Sequence, residues 1–217
     1  MSDRDFDFEP SPGIPAPLPA GEDILWQGKP DAATLAREAF KIRWITGYLV
    51  AVAIWRAGAA FADNGAAGAV AWLIPYLGLA LAGYAVIRLL AWMQARAAVY
   101  TITNARVIMR VGAALPITYT IPFSCIESAA LAENGIAGTG TLALHTRGNM
   151  RLSYAVLWPH VRPWRIRQPE PALRSIPDAV RVARILADAA EAKVSEPQIA
   201  TKKASPASLA ADLIAAQ

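Results

Sequence analysis

Few side chains in this 217-residue chain could do chemistry. It contains two histidines, His145 and His160, and one cysteine, Cys125. A protein metal site needs about four converging ligands, and the histidines have no cluster of Cys or Glu near them in sequence. A nucleophilic thiol needs an adjacent base, and none is evident beside Cys125. We therefore predict that the chain is not an enzyme and has no catalytic residue, metal site or cofactor. We expect His145 to be an exposed strand residue and Cys125 a small core residue.

The stretch WPHVRPW at residues 158–164 is the best candidate for an interaction site. Tryptophan and arginine carry much of the binding energy in protein interfaces, and this stretch places both together. Its prolines restrict the backbone, which lowers the entropy lost on binding. We predict a partner-binding role for seven residues, five of them in this stretch: Trp26, Arg56, Trp158, Pro159, His160, Arg162 and Trp164. In the alternative interpretation the two tryptophans pin the last strand to the core or to a membrane surface, and His160 orders a turn.

Two apolar segments precede that stretch, at residues 44–61 and 69–92. Each contains one charged residue, Arg56 or Arg88, and the polar break ADNGAAG separates them. At ~1.5 Å per residue each segment is long enough as a helix to cross a hydrocarbon core of ~30 Å with its flanking residues. The sequence therefore predicts a transmembrane hairpin of two helices over residues 44–93. The alternative is a buried helical hairpin in a soluble protein.

The charges that flank the segments predict the orientation of the hairpin. Lys41 and Arg43 precede the first segment, and Arg88 and Arg96 lie at or beyond the end of the second. The connecting loop contains Asp63 and no Lys or Arg. Because basic flanks stay in the cytoplasm, we expect a multi-pass protein of the inner membrane with both termini cytoplasmic.

Three features inside the segments carry further expectations. Arg56 lies within the first span, where a charge costs about 2.5–3.5 kcal/mol, so it either snorkels outward, with Asp63 across the loop, or contacts another membrane protein. Pro75 is expected to kink or loosen the second helix. Small residues in the second span predict a face for close helix packing, within the hairpin or in a homodimer: Gly78, Ala80, Ala82 and Gly83.

The rest of the chain divides into a leader, a strand-rich region and a tail. The leader (residues 1–43) has five prolines before residue 22 and then an amphipathic helix at residues 31–40, capped by Asp31, which we expect on the membrane surface. The alternating pattern of residues 97–192 predicts a domain of six or seven strands. The composition of residues 193–217 predicts a flexible tail. The predicted strands include AVYTIT, RVIMRVG, PITYTIP, SCIESAALAE, GTGTLALHT and MRLSYAV, with turns at residues 104–105, 134–135 and 147–149.

A helix follows the strands in this prediction. Ser175 and Asp178 form a capping-box pattern, with Pro177 in the first turn. Its apolar face is predicted to contain Val180, Ala183, Ile185, Leu186 and Ala189. The predicted fold class is thus an α+β membrane protein: a two-helix transmembrane hairpin followed by a cytoplasmic antiparallel sandwich or barrel that a C-terminal helix caps.

Four stretches carry a resemblance to known families. The motif YTITNAR (residues 100–106), directly after the predicted hairpin, and GEDILWQGKP (residues 21–30), before it, resemble the bacterial pleckstrin-homology (PH)-like membrane proteins. Residues 5–30 and 157–189 are similar to the photosynthetic-complex assembly family of purple bacteria, which is encoded near the reaction-centre H subunit and carries a PH-like domain. The resemblance extends over nearly the whole chain up to about residue 192, and its WPHVRPW block is the specific part.

This resemblance implies a function in photosynthesis. It implies that the chain helps to assemble the reaction centre in the photosynthetic membrane, with a secondary effect on the core light-harvesting complex. Reaction-centre subunits, core antenna polypeptides and membrane lipids are the implied partners. In one alternative, His160 is a ligand of a cofactor such as bacteriochlorophyll.

Another alternative is an anionic-lipid-binding PH-like scaffold. The net charge of +4 is too small to indicate nucleic acid as a partner but fits a chain beside an anionic inner leaflet. The residues expected to bind lipid in that alternative are Arg147, Arg151, Arg162 and Arg165.

Overall fold

The structure, a computed structural model, describes residues 13–14, 16–133, 138–147 and 152–195. Within these ranges the chain has an α+β fold of two antiparallel sheets, one very long helix and three shorter helices. In chain order the elements are β1 (Ile24–Gly28), α1 (Ala32–Glu38), α2 (Ile42–Ala97), β2 (Val99–Thr103), β3 (Arg106–Val111), β4 (Ile117–Pro122), β5 (Ile126–Glu133), β6 (Gly140–Thr146), α3 (Tyr154–Leu157), β7 (Ala172–Ile176) and α4 (Ala179–Ser195).

The first sheet has the strand order β1-β2-β3-β4. The turn predicted at Asn104 and Ala105 joins β2 to β3, and the Thr103 hydroxyl oxygen accepts a hydrogen bond from the backbone N–H of Arg106 across it (3.1 Å). The guanidinium of Arg106 donates to the carboxylate of Glu22 at 2.7 Å, and this bond is the main reason why the pKa of Glu22 is lowered. The ion pair fastens the segment before β1 to β3.

The second sheet, of order β5-β6-β7, shares one hydrophobic core with the first sheet and with α4. Fully burying a large aliphatic or aromatic side chain contributes about 1.5–3 kcal/mol, so this shared core is what holds the two sheets together. The arrangement is an antiparallel sandwich with α4 packed on it, as the strand pattern predicts. The largest core side chains are Tyr100, Ile102, Met109, Ile121, Leu142, Leu144, Leu173 and Ile176.

The sixth predicted strand, MRLSYAV, is wrong in its described part. Residues 154–157 form the single-turn helix α3, and the last strand is β7, where the sequence predicts the start of a helix. All five residues of β7 are buried, and Leu173 pairs with Leu142 of β6. The segment forms a strand because it pairs with β6, although its residues do not alternate between buried and exposed positions and Arg174 lies in its centre. The turns predicted at residues 134–135 and 148–149 lie outside the described residues.

The last helix also begins later than the capping-box pattern predicts. Ser175 belongs to β7, and α4 starts at Ala179, after Asp178 in a left-handed conformation (φ 50°). The side of α4 that packs on the sheets contains Ala179, Val182, Leu186 and Ala189. Val182 and Leu186 are buried in the core, whereas Val180, predicted on the apolar face, is exposed.

The amphipathic helix predicted before the membrane segments is present as α1. Asp31 caps it, since its carboxylate accepts the backbone N–H of Thr34 at 2.7 Å. Leu35 and Ala36 are fully buried, and Ala36 packs with Ile42 at the start of α2. We expected α1 on a membrane surface, but much of its apolar face is covered by the chain itself.

The helix α2 is 56 residues long, and its most apolar part has a mean hydropathy of 1.9. By length and composition it can cross a membrane, and only 6% of that part is buried within the chain. One residue has non-helical backbone angles, Gly65 (φ 63°, ψ −157°), in the predicted polar break. Glycine adopts a positive φ without the usual steric cost. Pro75, expected to kink the helix, lies where the backbone angles stay helical.

Residues on either side of Gly65 approach each other. The guanidinium carbon of Arg56 lies 4.3 Å from the ring centroid of Trp72. A Cβ added at Gly83 would lie 3.2 Å from Cδ1 of Leu49. In an uninterrupted helix these pairs would be tens of ångströms apart at ~1.5 Å rise per residue. Of the predicted small-residue face, Ala80 is buried and Gly83 faces Leu49, whereas Ala82 is exposed and Gly78 has no neighbour within 4 Å of an added Cβ.

Candidate interaction site

His160 is the buried anchor of residues 158–164, which we call the WPH segment. Its side chain is fully buried, and its Nδ1 lies 2.6 Å from the hydroxyl of Tyr100 on β2. The backbone is fixed as well, because the N–H of His160 donates to Leu157 O (2.6 Å) and the His160 carbonyl accepts from Ala172 N (3.0 Å). The segment is therefore bonded to both sheets of the sandwich.

Burial keeps the imidazole of His160 uncharged. The Tyr100 hydroxyl, which lies 2.6 Å from Nδ1 of His160, also accepts the backbone N–H of Arg174 at 3.4 Å. Burial, with the nearby charge of Arg174, lowers the pKa of His160 to about 3, so the ring is neutral near pH 7. Within the described chain Nε2 has no hydrogen-bond partner. This placement fits the alternative in which His160 orders a turn.

Arg174 belongs to this candidate site and was not predicted from the sequence. It is buried in β7, and its Nη1 donates to the carbonyl of Pro159 at 3.3 Å. Burial lowers the pKa of Arg174, and the charge of Glu38 at the end of α1 opposes that shift. Burial likewise raises the pKa of Glu38, against the charges of Arg174 and Lys41. The one charged residue in the apolar stretch ALRSI is the signal that could have identified it.

Trp158 packs the WPH segment against the short connection between α1 and α2. Its ring packs edge-on against Phe40 with 4.9 Å between the centroids, and part of it stays exposed. The next residue, Pro159, follows a cis peptide bond and is buried. Because Phe40 lies two residues before α2, the segment is held beside the start of the long apolar helix.

The carboxylate of Glu170 contacts three side chains near the end of the WPH segment, two arginines and a histidine. Arg162 donates to it at 2.9 Å, Arg165 lies 3.5 Å from it, and Nδ1 of the half-buried His145 lies 3.1 Å from it. Burial would raise the pKa of Glu170, but the hydrogen bonds of Arg162 and His145 and the arginine charges outweigh it and lower that pKa. Two of the four arginines predicted to bind lipid are thus paired. Arg147 is exposed, and Arg151 lies outside the described residues.

Trp164, in contrast to His160, projects into solvent. Its side chain is 91% exposed, and its backbone is left-handed (φ 67°), which is uncommon for a residue other than glycine. Ile166, two residues later, is also well exposed. The loop of residues 158–170, between α3 and β7, therefore presents two large apolar side chains beside a hydrogen-bonded base.

The other two predicted partner-binding residues lie elsewhere. Trp26 is in β1, where its ring covers Gly28 and packs against the core. Arg56 is in α2 against Trp72. The structure thus brings Trp158, Pro159, His160, Arg162 and Trp164 together in one segment and leaves Trp26 and Arg56 on separate elements. In the described ranges no three His, Cys, Asp or Glu side chains are grouped as metal ligands would be.

Comparison with known proteins gives the family. Residues 40–190, which include α2 and the strands from β2 to β7, match the family model described as "Bacterial PH domain". The chain is 57% identical over 211 residues, 97% of its own length and 99% of the relative's, to a Rhodobacter capsulatus protein named "Uncharacterized 23.7 kDa protein in puhA 5'region". No solved structure matches. The chain belongs to the bacterial PH domain family.

Proposed function

We propose that the chain is a non-enzymatic membrane assembly factor for the photosynthetic reaction centre, with a secondary effect on assembly of the core light-harvesting complex. The observation that carries the proposal is the relative with 57% identity, whose name places it in the 5' region of puhA, the gene for the reaction-centre H subunit. Neighbouring bacterial genes often contribute to one process. The reaction-centre subunits are therefore the proposed partners, and core antenna polypeptides are further candidates.

The proposal places α2 in the inner (photosynthetic) membrane as a two-helix hairpin. The parts of α2 before and after Gly65 each exceed the ~20 residues that a span needs. The Arg56–Trp72 and Leu49–Gly83 contacts support a turn between them. Large apolar side chains along α2 are exposed, as lipid-facing residues would be, and soluble monomers seldom expose so many together. With both termini cytoplasmic, the sandwich lies on the cytoplasmic side.

In this proposal the exposed apolar tip of the loop docks on the cytoplasmic face of a reaction-centre subunit. Trp164 and Ile166 supply the apolar area, and buried tryptophans are frequent hot spots of interfaces. The bonds of His160 and Glu170 hold the base of the loop in place before any partner arrives. A preformed loop loses little entropy on binding, which favours a specific but reversible contact.

A deletion strain tests the proposal through absorption spectra of its membranes. The reaction-centre and core-antenna bands are measured separately under pigment-producing conditions. We expect a reduced reaction-centre band with pigment synthesis intact, and a smaller change in the antenna band. Unchanged bands would contradict the assembly function.

Complementation of that strain tests the docking loop. The Trp164→Ala chain should fail to restore the reaction-centre band, because the substitution removes exposed apolar area without touching the core. Leu115→Ala is the matched control, since Leu115 is a comparably exposed apolar residue (79%) in the turn between β3 and β4. Equal restoration by both variants would remove Trp164 from the docking surface.

The anionic-lipid scaffold through Arg147, Arg151, Arg162 and Arg165 has less support. Arg162 and Arg165 already pair with Glu170, so a lipid phosphate would have to displace a buried carboxylate. We keep the assembly function as the proposal.

A further inference from the structure

A basic pocket lies where α1 passes into α2. Arg37 from the last turn of α1 lines it together with Lys41, Arg43 and Trp44 at the start of α2. The pocket is open to solvent and has a volume of about 470 Å³. We call it the junction pocket. None of these cations is among the arginines that the sequence suggested for lipid binding.

The backbone at Lys41 builds this pocket. Lys41 has left-handed angles (φ 53°, ψ 33°), and its carbonyl accepts the N–H of Trp44 (2.9 Å) and of Ile45 (3.1 Å) as α2 begins. The sharp reversal places the last turn of α1 beside the first turn of α2. Burial of Ala36 against Ile42, and of Phe40 against Trp158, holds the reversal in place.

Two cations of the junction pocket interact with carboxylates only at longer range, Arg37 with Asp31 and Lys41 with Glu38. Across the described ranges no salt bridge joins Arg37, Lys41 or Arg43 to an acidic side chain, in contrast to Arg106 and Arg162 of the sandwich. These two carboxylates, from the cap and the last turn of α1, do not line the pocket, and both have other neighbours. Glu38 is partly buried near Arg174, and Asp31 is bonded to Thr34. Three like charges around one pocket that no carboxylate lines favour the binding of an anion.

We propose that the junction pocket binds the phosphate of an anionic phospholipid in the cytoplasmic leaflet. The pocket lies at the first turn of the apolar helix α2, and Trp44 at its edge is 81% exposed. Tryptophan and basic residues at the end of a span are the usual anchors at headgroup level. Each basic residue near an anionic leaflet strengthens binding about five-fold. The inference rests on the proposed membrane insertion of α2 and is independent of the assembly function.

The test uses the full chain extracted from membranes in a neutral detergent, with bound lipid measured by native mass spectrometry. Phosphatidylglycerol and phosphatidylcholine with identical acyl chains are the probes, and inorganic phosphate is a competitor. We expect tighter binding of phosphatidylglycerol, a loss of that preference at high salt, and little competition by free phosphate.

Paired variants assign the binding to the junction pocket. Lys41→Gln with Arg43→Gln should weaken phosphatidylglycerol binding roughly ten-fold or more. Arg181→Gln with Arg184→Gln, which removes two exposed cations of α4, should leave it within about two-fold. All four residues are exposed, so both chains should fold, and circular dichroism checks this.

Three results would overturn the inference. They are equal binding of the two lipids, equal loss in both variants, and displacement of the lipid by inorganic phosphate at matched concentration, which would assign the pocket to a free anion. A chain that never enters the membrane fraction would instead contradict the proposed insertion of α2.

Discussion

The hydroxyl of Tyr100 lies 2.6 Å from Nδ1 of His160, in the interior of the sandwich. This bond joins the first strand after the long helix to the centre of the WPH segment, across 60 positions of sequence. Because the same hydroxyl accepts the backbone N–H of Arg174, it connects β2, β7 and the WPH segment at one point. The rigidity of the proposed docking loop therefore depends on a residue of the core.

Removal of the Tyr100 hydroxyl tests that dependence. Tyr100→Phe leaves the buried Nδ1 of His160 and the Arg174 N–H without this partner, so we expect a loss of about 1–3 kcal/mol in the free energy of unfolding. Tyr119→Phe is the matched control. Tyr119 packs at the edge of the same core, and its hydroxyl has no hydrogen-bond partner in the described chain. The free energy of unfolding of Tyr119→Phe should therefore stay within about 0.5 kcal/mol of that of the unchanged chain. Urea unfolding in detergent, followed by near-ultraviolet circular dichroism, measures both.

The neutral state of His160 predicts a pH dependence of stability. Its pKa is about 3 in the folded chain against an ordinary value of 6.5. Between these values the unfolded chain binds a proton that the folded chain does not. The free energy of unfolding should therefore fall as the pH decreases through this window, by up to about 1.4 kcal/mol per pH unit. His160→Gln, which cannot titrate, should show a shallower slope between pH ~6.5 and ~5.

Several carboxylates also contribute to the pH dependence of stability in or below this range. Glu38, whose pKa burial raises, acts in the opposite direction in both chains and cancels in the comparison. Glu22 and Glu170, whose pKa values are lowered, act mainly below their ordinary value of 4.5. Parallel slopes of the two chains would show that His160 is not the group that titrates.

The local features of the fold could be predicted from the sequence. Five strands, the turn at residues 104–105 and the Asp31 cap of α1 depend on alternation and on short-range hydrogen bonds, which neighbouring residues define. The last strand, β7, could not be predicted in this way. The position of β7 depends on the pairing of Leu173 with Leu142 of β6. The charge of Arg174 in the centre of β7 is accommodated by the carbonyl of Pro159 and the charge of Glu38.

The candidate site was predictable in composition but not in geometry. The residue types of WPHVRPW identify the segment, but they do not distinguish His160, which is buried, from Trp164, which is exposed. That difference follows from contacts with Tyr100 and Glu170, residues that only the folded chain brings near. The junction pocket has the same origin, since it needs the left-handed backbone of Lys41.

The contacts across Gly65 predict a specific cross-link within α2. In a Cys125→Ser background, Leu49→Cys with Gly83→Cys should be joined by a short bifunctional thiol reagent, because the tip of the Leu49 side chain, Cδ1, lies 3.2 Å from the Cβ position of residue 83. Leu49→Cys with Leu81→Cys is the control, since Leu81 is exposed on another side of the helix. Gel mobility and mass spectrometry after treatment with the reagent distinguish the two. Cross-linking of the control pair alone, or of neither pair, would contradict the folded-back arrangement.

The proposed orientation predicts which of two engineered cysteines a thiol reagent can label from outside the cell. In the Cys125→Ser background, Asn64→Cys places a thiol beside Gly65, at the turn of the proposed hairpin, and Leu115→Cys places one on the sandwich. Both positions are exposed, so each thiol should react when the membrane is permeabilised. A membrane-impermeant maleimide applied to spheroplasts should label Asn64→Cys alone, because basic flanks at residues 41, 43 and 96 keep the sandwich in the cytoplasm. Labelling of Leu115→Cys alone would show that the orientation is the opposite of the proposed one. The junction pocket and the WPH segment would then lie on the side of the membrane away from the cytoplasmic face of the reaction centre.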